Sequence, residues 1–210
     1  MSIRKPRQST IDRALARVGA TVQAPTAVSK LTTFYDPRGG YAGLSFLDLF
    51  PSTPNVLGAG DLMAPSLMSA PLTPKQVREV LAVASQIQTA LAALPATVDL
   101  ATANGSHLQA ACQLHSIVYG ALSTNEGRRT EASIKADKLC ARKRPGLFPI
   151  RDRRVSAVVG SRAWRTFQAL LNDQVIVGAL NRARIAASNR VPQVGHLQQL
   201  RVLDTILWMP

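Results

Sequence analysis

The chain has 210 residues, with 25 Lys and Arg against 12 Asp and Glu, a formal net charge of +13, and 46% hydrophobic residues. That length fits one domain, or one domain with an arm, and buries roughly 70% of its unfolded surface. No apolar run reaches the ~18 residues of a membrane span, and two cysteines, Cys112 and Cys140, exclude a disulfide framework or a four-thiolate iron–sulfur site. His107, His115 and His196 show no metal-ligand spacing, so neither metal nor cofactor is expected. Two lone thiols and a basic N-terminus with no apolar stretch after it suit the cytoplasm. A positive surplus this large repels itself in a folded chain, so a polyanion is the economical partner. Nucleic acid leads, as double-stranded DNA, ahead of an acidic protein or an anionic surface; a membrane partner is not expected.

Taken in order, residues 1–9 (MSIRKPRQS) read as a short basic flexible arm and 10–210 as a single helical domain. Thr10 caps a helix running to about Val18, and a loop follows around Pro25. Asp36-Pro37-Arg38-Gly39-Gly40 is a turn by local chemistry, bracketed by Tyr35 and Tyr41. It is either a tight turn sealed by aromatics or a loop that offers two phenols, a carboxylate and an arginine, Arg38, to a pocket. Phe46 to Phe50 is a short buried segment, Pro51 to Gly60 a loop, and Asp61 opens a short helix through Met68.

Thr73-Pro74 is a helix start that carries an apolar stripe to about Leu94, where Pro95 stops it. Another helix starts near Ser106 and reaches Leu122, with His115 on its apolar face as a core histidine. Thr130 to Arg142 is helical, a further helix begins at or just after Asp152, and Ser161 caps one that continues to about Asn189. Leu197 to Trp208 is the last. With no sustained alternation of period two, the class is all-α, a compact multi-helix domain.

The segment 128–165 forms a basic helix-loop-helix core. It holds Arg128, Arg129, Lys135, Lys138, Arg142, Lys143, Arg144, Arg151, Arg153, Arg154, Arg162 and Arg165 against Glu131, Asp137 and Asp152. Arginine suits phosphate better than solubility alone requires, so the ten cations from Arg128 to Arg154 are the expected nucleic-acid contacts. Asp152, flanked by Arg151 and Arg153, has two readings: a charge-paired carboxylate that orders its neighbours, or a catalytic group placed near a sugar. Tyr35, Asp36, Tyr41, Trp164, Asp204 and Trp208 are the candidates for a pocket that would receive an extruded base.

Ala136 to Val155 (ADKLCARKRPGLFPIRDRRV) resembles the helix-hairpin-helix DNA glycosylase superfamily. The resemblance puts Pro149 on the loop proline, Asp152 on the catalytic aspartate and Val155 on the valine that follows it. It departs at Thr130-Glu131-Ala132, where the hairpin has glycines, and at Ile134, where lyase-active members carry a lysine. A glycosylase of this kind would therefore be monofunctional. Over residues 34–209 the chain also resembles an actinobacterial domain family of unknown function, DUF6308, through FYDPRGGYAGLSFLDL, DLMAPSLMSAPLTPKQ, KLCARKRPGLFPIRDRRV and LRVLDTILWM. That family brings no activity with it. Three readings stand: a glycosylase acting through Asp152, a non-catalytic nucleic-acid-binding module on the same basic face, and a basic protein-interaction domain.

Overall fold

The computed structural model describes residues 6–123, 129–161 and 163–210, with Arg129 by its backbone alone. Within them the chain is all-α, with twelve helices, one 3-10 helix and no strand. None of the described helices is long and apolar enough to cross a membrane. The chain sorts into two units, each best taken alone. The first contains Gly43–Val98 and Ala103–Ile150, the second Ser2–Ala42, Asp99–Thr102 and Arg151–Pro210.

In the first unit, α3 (Gly43–Asp48), α4 (Ala59–Leu67), α5 (Pro74–Ala82) and α6 (Ala84–Ala92) pack with α7 (Gly105–Leu122) and α8 (Arg129–Lys143). Thr73 caps α5 as its residue type predicts, accepting from the Gln76 amide while Gln76 reaches back to the Thr73 amide. The single helix expected from Thr73 to Leu94 is broken at Val83, whose backbone leaves the helical region. The apolar stripe runs on across the break (Val80, Ile87, Leu91, Leu94) and so conceals it. That stripe meets Leu108, Ala111, Leu114, Val118 and Leu122 of α7, all at most 1% exposed. Asn104 caps α7, two residues before the expected start. At Gly60, in the first turn of α4, a Cβ would lie 2.3 Å from Cβ of Phe50, so only glycine lets that ring approach.

In the second unit, α1 (Gln8–Gln23), α2 (Ala27–Tyr35), α9 (Arg153–Val159), α10 (Trp164–Asn172), α11 (Gln174–Ser188) and α12 (Gln199–Trp208) surround a core built on Val18, Leu31, Phe34, Phe167, Leu170, Leu180 and Leu203. Gln8 and Ser9, expected in the arm, are helical, and the first five residues lie outside the described ones. The helix expected from Ser161 to Asn189 is two, because Asp173 ends α10 and caps α11 through the Ile176 amide. Gly160 closes α9 at φ +67, a left-handed position that favours glycine. A 3-10 helix at Pro192–His196 leads to α12.

Candidate nucleic-acid interface

The cations at the end of α8 point into the protein. Residues 136–144 are all buried, and each basic side chain among them has protein acceptors. Short helices leave carbonyls unpaired at their C-termini, and those carbonyls carry partial negative charge. Lys138 donates to the Met68 carbonyl at the end of α4. Arg142 donates to the carbonyls of Phe46 and Phe50 at the end of α3, and its Nε reaches Asp61 at 3.3 Å. Lys143 Nζ meets Thr53 O, Val56 O and Ser52 Oγ at 2.7–2.8 Å and the Asp61 carboxylate at 2.8 Å. Arg144 fills all five donors of its fork: Leu91 O and Leu94 O at the end of α6, Pro54 O, Lys143 O and Asn55 Oδ1, at 2.7–2.9 Å.

Burial alone would raise the Asp61 carboxyl. The hydrogen bonds from Lys143, the Gly58 amide and Ser52, with the charge of Lys143, outweigh it and hold the group below its ordinary 3.8. Burial lowers the Lys143 ammonium below its ordinary 10.5 against the pull of Asp61, and burial lowers Arg144 as well. The phosphate contacts expected of Lys138, Arg142, Lys143 and Arg144 therefore give way to a structural role. A side chain enclosed by its own protein's carbonyls does not reach a DNA backbone. Lys135, half-buried, donates to Gln76 Oε1 at 2.8 Å. His115 is the core histidine expected, buried and 2.9 Å from Asp137. Thr130, Glu131 and Ala132, which stand where the glycosylase hairpin has its glycines, lie at the start of α8. Arg128, Arg162 and the Arg129 side chain lie outside the described residues.

In the second unit the cations divide. Arg151 is buried, its guanidinium carbon 5.6 Å from the centre of the Trp164 ring, and Trp164 is buried at the start of α10. Asp152 is the N-cap of α9, 8% exposed, with Oδ1 accepting the Val155 amide at 3.0 Å. The sequence places the helix start correctly, and Oδ1 of the carboxylate that the glycosylase resemblance puts near a sugar accepts an amide of that first turn. Arg153 and Arg154 follow Asp152 and are exposed. Arg154 lies 5.5 Å from the Trp208 ring centre and donates to the Trp208 carbonyl at 3.3 Å. Arg165 is half-buried and donates to Gln168.

Three of the expected pocket residues, Tyr35, Tyr41 and Trp208, gather around Phe34. Phe34 contacts Tyr35 edge-on at 5.0 Å, Tyr41 at 5.9 Å and Trp208 at 5.6 Å, and Tyr41 meets Trp208 at 5.9 Å and 90°. Tyr35 is sealed, its hydroxyl 3.0 Å from Thr205 Oγ1, and burial pushes its phenol up to about 12. Asp204 is buried and paired with Arg201 at 2.7 Å. Asp36 instead orders its own turn, accepting from the Arg38 amide at 2.9 Å. It lines an open groove of about 460 Å³ with Thr32, Thr33, Arg38, Arg190 and Gln193.

Six further arginines face water: Arg7 of the basic arm, Arg38 of the turn after α2, and Arg13, Arg17, Arg182 and Arg190, which sequence reasoning missed. With Arg153 and Arg154 they make eight exposed arginines among the described residues of this unit, against one exposed carboxylate, Asp12. Arg13 and Arg17 were findable, because a four-residue spacing puts both on one face of α1. Nothing in the sequence singles out the others.

A family model described as "Family of unknown function (DUF6308)" matches residues 27–210. The chain belongs to that family. No curated protein and no solved structure matches it. The DUF6308 stretch takes in α2 through α12, with both the inward cations and the aromatic cluster, while α1 with Arg13 and Arg17 precedes it. Membership says nothing of glycosylase chemistry or of an organism.

Proposed function

We propose that the protein is a non-catalytic nucleic-acid-binding module, and that the face which binds is the arginine-bearing surface of the second unit. The charge distribution carries this reading. By sequence the second unit has sixteen basic against six acidic side chains, a surplus of ten out of thirteen. Eight arginines with one exposed carboxylate among them form a field that attracts polyanions and keeps its forks available for phosphate oxygens. The place of Asp152 as a buried helix cap favours binding over base excision, since a group that reacts at a sugar must reach it.

Counterion release tests the proposal. The logarithm of affinity falls with the logarithm of salt with a slope of about −0.9 per phosphate neutralised on duplex DNA. Titrations of a fluorescent DNA across a KCl series are expected to give a steep slope. The double variant Arg13→Gln/Arg17→Gln is expected to flatten it by roughly 2 while leaving the fold intact. Absence of binding at low salt sinks the proposal.

A further inference from the structure

We infer that the partner is single-stranded, and that a base stacks on the surface formed by Tyr41, Trp208 and Arg154. This rests on the phosphate-binding reading above. Of the four clustered rings, Phe34 and Tyr35 are at most 5% exposed, which is how this fold treats an aromatic meant for its core. Tyr41 is 37% exposed and Trp208 half-buried, so the same cluster opens at one end.

The Tyr41 ring does not hang free. Phe34 supports it at 5.9 Å and Trp208 meets it perpendicularly at 5.9 Å. A ring held in place before binding loses little freedom when a base lands on it. The exposed guanidinium of Arg154 lies over the indole, and its outer face is a second plane on which a base can rest. Exposed Arg153, and Arg38 with 90% of its side chain in water, supply phosphate donors on the same α9 helix and the same 36–41 loop.

Strand state follows from geometry. Bases in a duplex are stacked on each other and closed to a flat aromatic surface, whereas an unpaired strand exposes every π-face. A duplex would use only the arginines and leave the rings idle. An acidic protein segment would do the same, since it has carboxylates for the arginines and no flat partner for the rings.

The test compares four probes of equal formal charge on the intact protein: oligo(dT), a duplex, an abasic oligodeoxyribose phosphate and polyglutamate. Oligo(dT) is expected to bind most tightly, with the abasic strand weaker by roughly 5- to 100-fold for one stacked base. Tyr41→Ala is expected to lose a similar factor on oligo(dT) at unchanged salt slope and with no loss on the duplex, and Tyr41→Phe to keep affinity. The abasic probe needs no variant, so a misfolded Tyr41→Ala does not spoil the test. Equal binding of oligo(dT), abasic strand and duplex overturns the stacking inference and leaves phosphate binding standing. Polyglutamate binding as tightly as oligo(dT) assigns the surface to an acidic protein and overturns both, and no binding of any nucleic acid overturns the reading beneath it.

Discussion

The two units hold their charges in opposite places. Among the described residues, the first exposes Arg78 against Asp48, Glu79 and Glu131, while Lys138, Arg142, Lys143 and Arg144 are inside it. The second exposes eight arginines against Asp12. One is basic within and slightly acidic without; the other is basic on its surface. The difference shows that a surplus of cations has two physical causes in this chain. Short helices end often, and each end leaves carbonyls that a buried Lys or Arg can satisfy. In the first unit α3 and α4 end on cations from α8, and α6 ends on Arg144, the residue after α8. The outward arginines have few such acceptors and remain available to a partner.

Arg144→Met is the change with the largest expected effect. It removes a fully satisfied fork and strands the Leu94 carbonyl in a buried site, while the Leu91 carbonyl keeps the Leu94 amide. The expected loss is about 3–5 kcal/mol, as for breaking other buried charged contacts, read as a fall in urea midpoint. Arg144→Lys keeps the charge without the fork and recovers only part of it. Affinity for nucleic acid per folded molecule is expected to stay unchanged. A stable Arg144→Met protein with weakened binding would break the comparison, because it would make Arg144 a contact and not a support.

Tyr35 sharpens the other side, since it shows that the second unit is open only at its surface. Its phenol is pushed up to about 12 by burial, against an ordinary value of 10. Below pH 10 folded and unfolded chains both keep that proton and nothing changes. Between 10 and 12 the unfolded chain loses it and the folded chain does not, so stability falls as pH rises, by roughly 3 kcal/mol in all. Tyr35→Phe loses the Thr205 hydrogen bond, about 1 kcal/mol near neutral pH. Above pH 10 the gap to wild type is expected to narrow or reverse. Urea titrations on either side of that window measure it, and a constant gap would mean that Tyr35 is solvated.

The helices were largely legible because their signals are local. Thr73 with Gln76, and Asp152 three residues before the amide it caps, announce helix starts within one turn of chain. The misses also have local causes. Thr32 and Thr33 beside a turn signal hide α2, which burial of Leu31, Phe34 and Tyr35 stabilises instead. An unbroken stripe hides Val83, and the apolar pattern from Trp164 to Ile176 runs past Asp173, whose capping bond divides α10 from α11. The direction in which a cation points was not legible. Four of the five acceptors of Arg144 lie about 50 or about 90 residues away in sequence, so no window around Arg142-Lys143-Arg144 distinguishes a buried cap from a phosphate grip. The same holds for Tyr35 and Tyr41, alike in sequence and opposite in exposure.

The smallest effect belongs to Asp152, which in sequence stands between the inward cations and the outward ones. As a helix cap it follows cap chemistry: Asp152→Ala is expected to destabilise by about 1 kcal/mol, and Asp152→Asn, an equally good cap, by only a few tenths. Neither change removes a cation, and both remove a negative charge from beside Arg151, Arg153 and Arg154, so nucleic-acid affinity is expected to hold or rise slightly. A catalytic carboxylate predicts equal loss of turnover in the two variants. Asparagine would then preserve stability and abolish turnover on any susceptible base, and the loss would appear in Asp152→Asn as fully as in Asp152→Ala. Thermal melts and a base-release assay on the same two variants decide between cap and catalyst, because only a cap makes asparagine a near-silent replacement in both.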